Sequence, residues 1–161
     1  MVACNRQSLK IVRETIAAGA DVSKADPDGF GPLMCACVEG RTEVIKYLLA
    51  HGAEVDKPDE CGRTPLSWAV TKGDFVEAAK ALISAGADVN RADKGGFTPL
   101  MRAALMDHLR CFQVLIRTGA DTAPVNPHWR KSALDMAMER GSSELKKVAG
   151  SLCAERRRGG R

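Results

Sequence analysis

The sequence is poor in aromatic residues, with two tryptophans, one tyrosine and four phenylalanines among 161 positions. Alanine and leucine supply much of the apolar content instead, which favours closely packed helices. No apolar run approaches the roughly 18 residues of a membrane span, and no stretch reads as a signal peptide, so membrane insertion is not expected. Among the six cysteines (Cys4, Cys35, Cys37, Cys61, Cys111 and Cys153) no CxxC occurs. No Cys–His pairing has zinc-ligand spacing, and His51, His108 and His128 lie far apart. A metal site or a disulfide framework is therefore set aside. The thiols are expected to be reduced and to act as small hydrophobes, in a cytoplasmic or nuclear, reducing compartment. Walker, GxGxxG, HExxH and GxSxG patterns are missing too. The acid pair Asp59-Glu60 falls in a predicted turn, where solvation accounts for it. No catalytic residue, cofactor, metal or small-molecule substrate is expected, and the chain does not read as an enzyme.

The net charge is +4, but it is unevenly placed. Residues 154–161 hold four arginines and one glutamate, leaving 20 basic and 19 acidic residues in the rest. The body is nearly neutral and has no nucleic-acid footprint; the basic character belongs to what reads as a flexible tail.

What the sequence does have is a period. Gly-Ala-Asp/Glu starts at Gly19, Gly52, Gly86 and Gly119, at spacings of 33, 34 and 33. In phase with it run Gly31-Pro32-Leu33, Thr64-Pro65-Leu66, Thr98-Pro99-Leu100 and Ser132-Ala133-Leu134, spaced 33, 34 and 34. Two independent markers sharing one period identify a repeat architecture.

Each unit makes physical sense. Thr64 and Thr98 are placed to N-cap a helix, with proline at the first helical position, where a missing N–H costs nothing. Gly40 and Gly73 can end that helix with a left-handed residue. A second helix follows, with apolar pairs four apart: Val44-Ile45 with Leu48-Leu49, Ala78-Ala79 with Leu82-Ile83, Cys111-Phe112 with Leu115-Ile116. Gly52, Gly86 and Gly119 end these helices. Asp26, Asp59 and Asp93, each with a glycine three residues on, mark turns. One helical pair cannot bury its own apolar face, so neighbouring repeats must cover it.

Thr64-Pro65-Leu66-Ser67-Trp68-Ala69 and Thr98-Pro99-Leu100-Met101-Arg102-Ala103 resemble the TPLHxA signature of ankyrin repeats, and Leu82–Asn90 resembles their second helix and exit loop. The resemblance covers about residues 1–153 and implies an all-α solenoid of stacked helix-turn-helix units with projecting hairpin-like loops. The signature histidine is replaced by Met34, Ser67, Met101 and Asp135, so its link to the backbone is lost.

The repeats divide as a partial unit at 1–26, full units at 27–59, 60–93 and 94–126, a C-terminal cap at 127–153 and the tail at 154–161. Met1 aligns with Met34, so the chain opens inside a first helix. A segment of a longer protein is expected, a ragged terminal repeat being the alternative. Repeat 60–93 carries one extra residue between Gly73 and Glu77, where a wider inter-helix turn is expected. The cap carries an extra residue between Asn126 and Ser132, with Arg130 near the place of the turn glycine. Its second helix shows a narrower stripe of Leu145, Val148, Ala149 and Leu152.

The resemblance also implies a partner-binding face made of the loop tips and the exposed side of the first helices. Transferred position by position, this face takes Phe30, Arg63, Phe97 and Lys131 beside the tips. It takes Val38, Glu39, Thr71, Lys72, Leu105, Met106, Glu139 and Arg140 on the helices, and Cys35, Trp68, Arg102 and Met136 one residue inside. An apolar strip around Phe97, Trp68 and Leu105, rimmed by Arg63, Lys72 and Arg102, would suit a peptide of some acidic character. The alternatives are that Phe30 and Phe97 cover the neighbouring hairpin while Leu105 and Met106 close the inter-helix turn, and that Trp68 stacks under Arg102. Asn90 resembles an ankyrin asparagine open to hydroxylation, or else serves its turn.

The function expected is a non-catalytic scaffold or adaptor, monomeric, binding another protein or peptide. The alternatives are a regulatory segment of a larger enzyme or channel, and nucleic-acid or nuclear targeting through Arg156-Arg157-Arg158 and Arg161.

Overall fold

A computed structural model describes residues 6–159, with side chains for 9–155. The expected alignment of Met1 with Met34 lies outside the described residues. Helices follow one another as α1 (Arg6–Ala17), α2 (Pro32–Val38), α3 (Thr42–Ala50), α4 (Pro65–Lys72), α5 (Val76–Ser84), α6 (Pro99–Leu105), α7 (Leu109–Arg117), α8 (Ala133–Arg140) and α9 (Ser143–Gly159). Turns of two or three residues join α2 to α3, α4 to α5, α6 to α7 and α8 to α9, which forces each pair to double back.

The pairs stack in two rows. First helices pack as α2 on α4, α4 on α6 and α6 on α8; second helices pack as α1 on α3, α3 on α5 and α5 on α7. One apolar core runs the length of the stack through Ile45, Leu66, Leu82, Leu100, Phe112, Leu134 and Leu145, all buried. This is the expected helical solenoid.

The start signals act as the sequence implies. Thr64 Oγ1 accepts the Ser67 N–H at 3.2 Å and Thr98 Oγ1 accepts the Met101 N–H at 3.3 Å, with proline opening both helices. Ser132 lacks the proline but forms a reciprocal capping box with Asp135. Met34 and Met101, where the signature histidine is replaced, are buried instead.

Three details differ from the sequence reading. The extra residue of repeat 60–93 does not widen the inter-helix turn. It lengthens α4 to eight residues against seven in α2 and α6, because extending a helix adds a bonded residue without disturbing the stack. Gly73 is accordingly extended (φ −174°) rather than left-handed, and it is needed for space: a Cβ there would lie 2.6 Å from the Phe75 ring. The left-handed place is taken by Gly40 and, in the next full repeat, by Asp107 at φ 57°. Finally, residues 154–159, expected as a flexible tail, continue α9 as helix.

Polar latches tie repeat to repeat. Asp74 Oδ1 accepts the Cys111 N–H at 2.7 Å and Asp107 Oδ1 accepts the Ser142 N–H at 2.8 Å, so each carboxylate serves the start of the next second helix. His108 Nδ1 pairs with the Val70 carbonyl at 2.8 Å.

Candidate functional site

The loop before each first helix is a tight hairpin. In the second, the Asp59 N–H donates to the Arg63 carbonyl at 3.0 Å and the Gly62 N–H to the Asp59 carbonyl at 2.8 Å. Gly62 has φ 77°, a conformation costly for residues with a Cβ. Adjacent hairpins are joined edge to edge: Glu60 N–H to Asp28 carbonyl, Lys94 N–H to Cys61 carbonyl, Asn126 Nδ2 to Gly95 carbonyl, at 2.8–2.9 Å. The tips therefore form one fixed rim above the first helices.

Asp59 is not a solvated turn acid, as the sequence reading has it, but a buried anchor. Its side chain is 3% exposed. Oδ1 accepts the Arg63 N–H at 2.8 Å, while Oδ2 accepts Arg63 Nε at 2.8 Å and the Trp68 indole Nε1–H at 3.0 Å. Asp93 repeats the arrangement, accepting the Phe97 N–H at 3.0 Å and both Nε and an amino group of Arg102. At the hairpin leading into the cap a buried, neutral Asn126 accepts the His128 and Trp129 N–H groups. A buried carboxylate without such donors would be costly, so anchors and donors come as sets.

These anchors arrange two aromatic stations. At the first, the Phe30 ring meets Trp68 edge-on at 5.3 Å, and Arg63 and Lys72 lie over the indole at 4.0 and 5.2 Å. At the second, Phe97 meets Trp129 edge-on at 5.3 Å, with Arg102 over Phe97 at 4.8 Å and Arg140 over Trp129 at 5.6 Å. Trp68 thus stacks with cations of its own repeat and not under Arg102. Geometry of this kind is the cation–π arrangement.

The other expected residues scatter. Glu39 approaches Arg41 at 3.7 Å. The Thr71 hydroxyl donates to the Ser67 carbonyl within α4. Val38 is half-buried, Leu105 packs at the core margin, and Met106 is exposed at the turn. Lys131 pairs with Glu139. Cys35 is exposed, whereas Met136 is buried in the core. Asn90 is exposed and its Oδ1 accepts the Asp121 N–H of the next repeat at 2.8 Å.

Trp129, 44% exposed, is the functional candidate that the sequence reading passes over. The extra residue in the last hairpin is the signal that could have found it. On the opposite side of the stack a trough of about 420 Å³ between α3 and α5 is floored by Leu49, Ala81 and Ala85.

Among the described residues no group of three His, Cys, Asp or Glu side chains could hold a metal ion, and no helix is long and apolar enough to cross a membrane. Stacked helical pairs joined along a hairpin rim define a helical repeat protein. The family description of ankyrin repeats (three copies) matches residues 1–93 and 56–126. The chain belongs to the ankyrin-repeat family, whose members are generally protein–protein interaction modules and typically non-catalytic. No curated protein matches the chain.

Proposed function

We propose that this chain is a monomeric, non-catalytic scaffold or adaptor that binds a partner protein through the hairpin rim and the first-helix face. One observation carries this reading: anchored aromatic rings, Trp68 and Trp129 among them, stand on that face with cations stacked on them. Tryptophan and arginine supply much of the binding energy at protein interfaces. Fixing the rings through Asp59 and the hairpin bonds reduces the ordering cost of association. The thiols of Cys37 and Cys111, packed as small apolar groups, support a cytoplasmic or nuclear setting.

Selecting binders from a random peptide library against the full chain, then mapping their footprint by hydrogen exchange, tests the reading. Protection should gather on the hairpins and on α4, α6 and α8. Protection confined to α3, α5 and α7, or the recovery of no binders, overturns it.

A further inference from the structure

The two aromatic stations look alike but differ in how their cations are used. At Phe97, Arg102 gives both Nε and an amino group to Asp93, whose side chain is 2% exposed; this guanidinium is neutralised inside the fold. At Trp68 the single buried carboxylate, Asp59, divides itself between Arg63 Nε and the indole N–H. Among the described residues the two amino groups of Arg63 form no hydrogen bond, and Lys72 meets no carboxylate within 4.0 Å. Two cations thus lean on one indole, and among the described residues Asp59 is the one carboxylate that either of them meets.

We propose that Arg63 and Lys72, held on the Trp68 ring, form the docking point for one acidic side chain of an extended partner peptide. This deepens the protein-binding reading and rests on it. A guanidinium whose amino edge is free presents the fork that a carboxylate fits, and stacking on the indole fixes its plane. A single carboxylate matches the one open guanidinium edge beside one ammonium at Trp68; Arg140, the other cation of this face, lies over Trp129. Asp28 and Glu60 at the neighbouring tips are exposed and would disfavour a run of negative charge. Trp129, exposed beside Phe97, offers an apolar contact further along the same face. Stacked helices stand about 10 Å apart and an extended chain advances about 3.3 Å per residue, so the acidic and apolar anchors fall roughly three to six residues apart.

The experiment uses peptides recovered from a random library by the full chain, measured against the native protein and Lys72→Glu. Lys72 is exposed and free of ion pairs among the described residues, so this change spares the fold; thermal unfolding checks that. Enrichment of aspartate or glutamate is expected, with affinity falling about tenfold in K72E and returning when the peptide's acid is exchanged for lysine. Enriched peptides without an acid, or unchanged affinity in K72E, overturn the proposal. Tighter binding of phosphopeptides or RNA, with a steep salt dependence, also overturns it. Acid-free binders that still footprint on the hairpin rim would leave the interaction reading standing, whereas no footprint there removes both.

Discussion

The carboxylate of Asp59 holds the indole of Trp68, Nε1 donating to Oδ2 across 3.0 Å from the hairpin to the following helix. The same oxygen accepts Arg63 Nε at 2.8 Å, so one buried group sets the positions of a ring and of the cation over it. The proposed binding face and local stability therefore share an anchor.

Asp59→Ala should lower stability by about 2–3 kcal/mol, because the half-buried indole N–H and the Arg63 donors lose their acceptor together. Asp59→Asn keeps an acceptor and should cost less than the alanine change. Urea unfolding of both variants measures the difference; an unchanged midpoint for D59A would show that solvent replaces the anchor.

Thr64→Ala and Thr98→Ala should each cost about 1 kcal/mol through loss of the N-cap. In a stacked array the two losses share neighbours, so the double variant should depart from simple addition. Thermal unfolding of the single and double variants reads this directly.

Asp107 combines a left-handed backbone with a bond to the Ser142 N–H. Asp107→Asn satisfies both and should stay within about 0.5 kcal/mol of the native chain, asparagine being tolerant of that conformation. Asp107→Ala should lose about 1–2 kcal/mol, from the strained φ and the lost acceptor together. A loss in D107N matching that in D107A would refute the assignment.

Burial pushes the Cys37 thiol well above its ordinary value of 9.0, with Cys35 beside it adding to the shift. Cys111 is raised likewise by burial and then by Asp74. In the unfolded chain both thiols ionise near their ordinary value, while the folded chain keeps them protonated. The unfolded state then binds fewer protons, so their contribution is complete below about pH 9 and stability falls as pH rises beyond it. Urea midpoints at pH 8 and pH 10 should show that fall, and it should shrink in Cys37→Ala. In the folded protein at pH 8 an alkylating reagent should modify the exposed Cys61 long before either buried thiol.

Much of the fold was legible because it is periodic and local. A threonine cap, a proline after it and apolar pairs four apart act within one turn of chain, and Gly52, Gly86 and Gly119 end their helices with φ near 90° as expected. The site was legible only in outline. Phe30, Arg63, Trp68, Lys72, Phe97 and Arg102 do gather at the aromatic stations, but no local pattern marks Asp59 as buried or Trp129 as part of them. Their partners lie in the next helix or the next repeat, beyond what a local pattern reports.

Repeat length, helical pairing and the order of the stack are legible in the chain alone, since each follows from caps, turns and apolar spacing inside a single unit. Which carboxylates are buried, which cation rests on which ring, and that Arg102 is neutralised while Lys72 meets no carboxylate among the described residues, are settled by the folded stack alone. The physical reason is that burial and pairing arise when separate repeats press together, and a charge has no fixed neighbour until that contact is made.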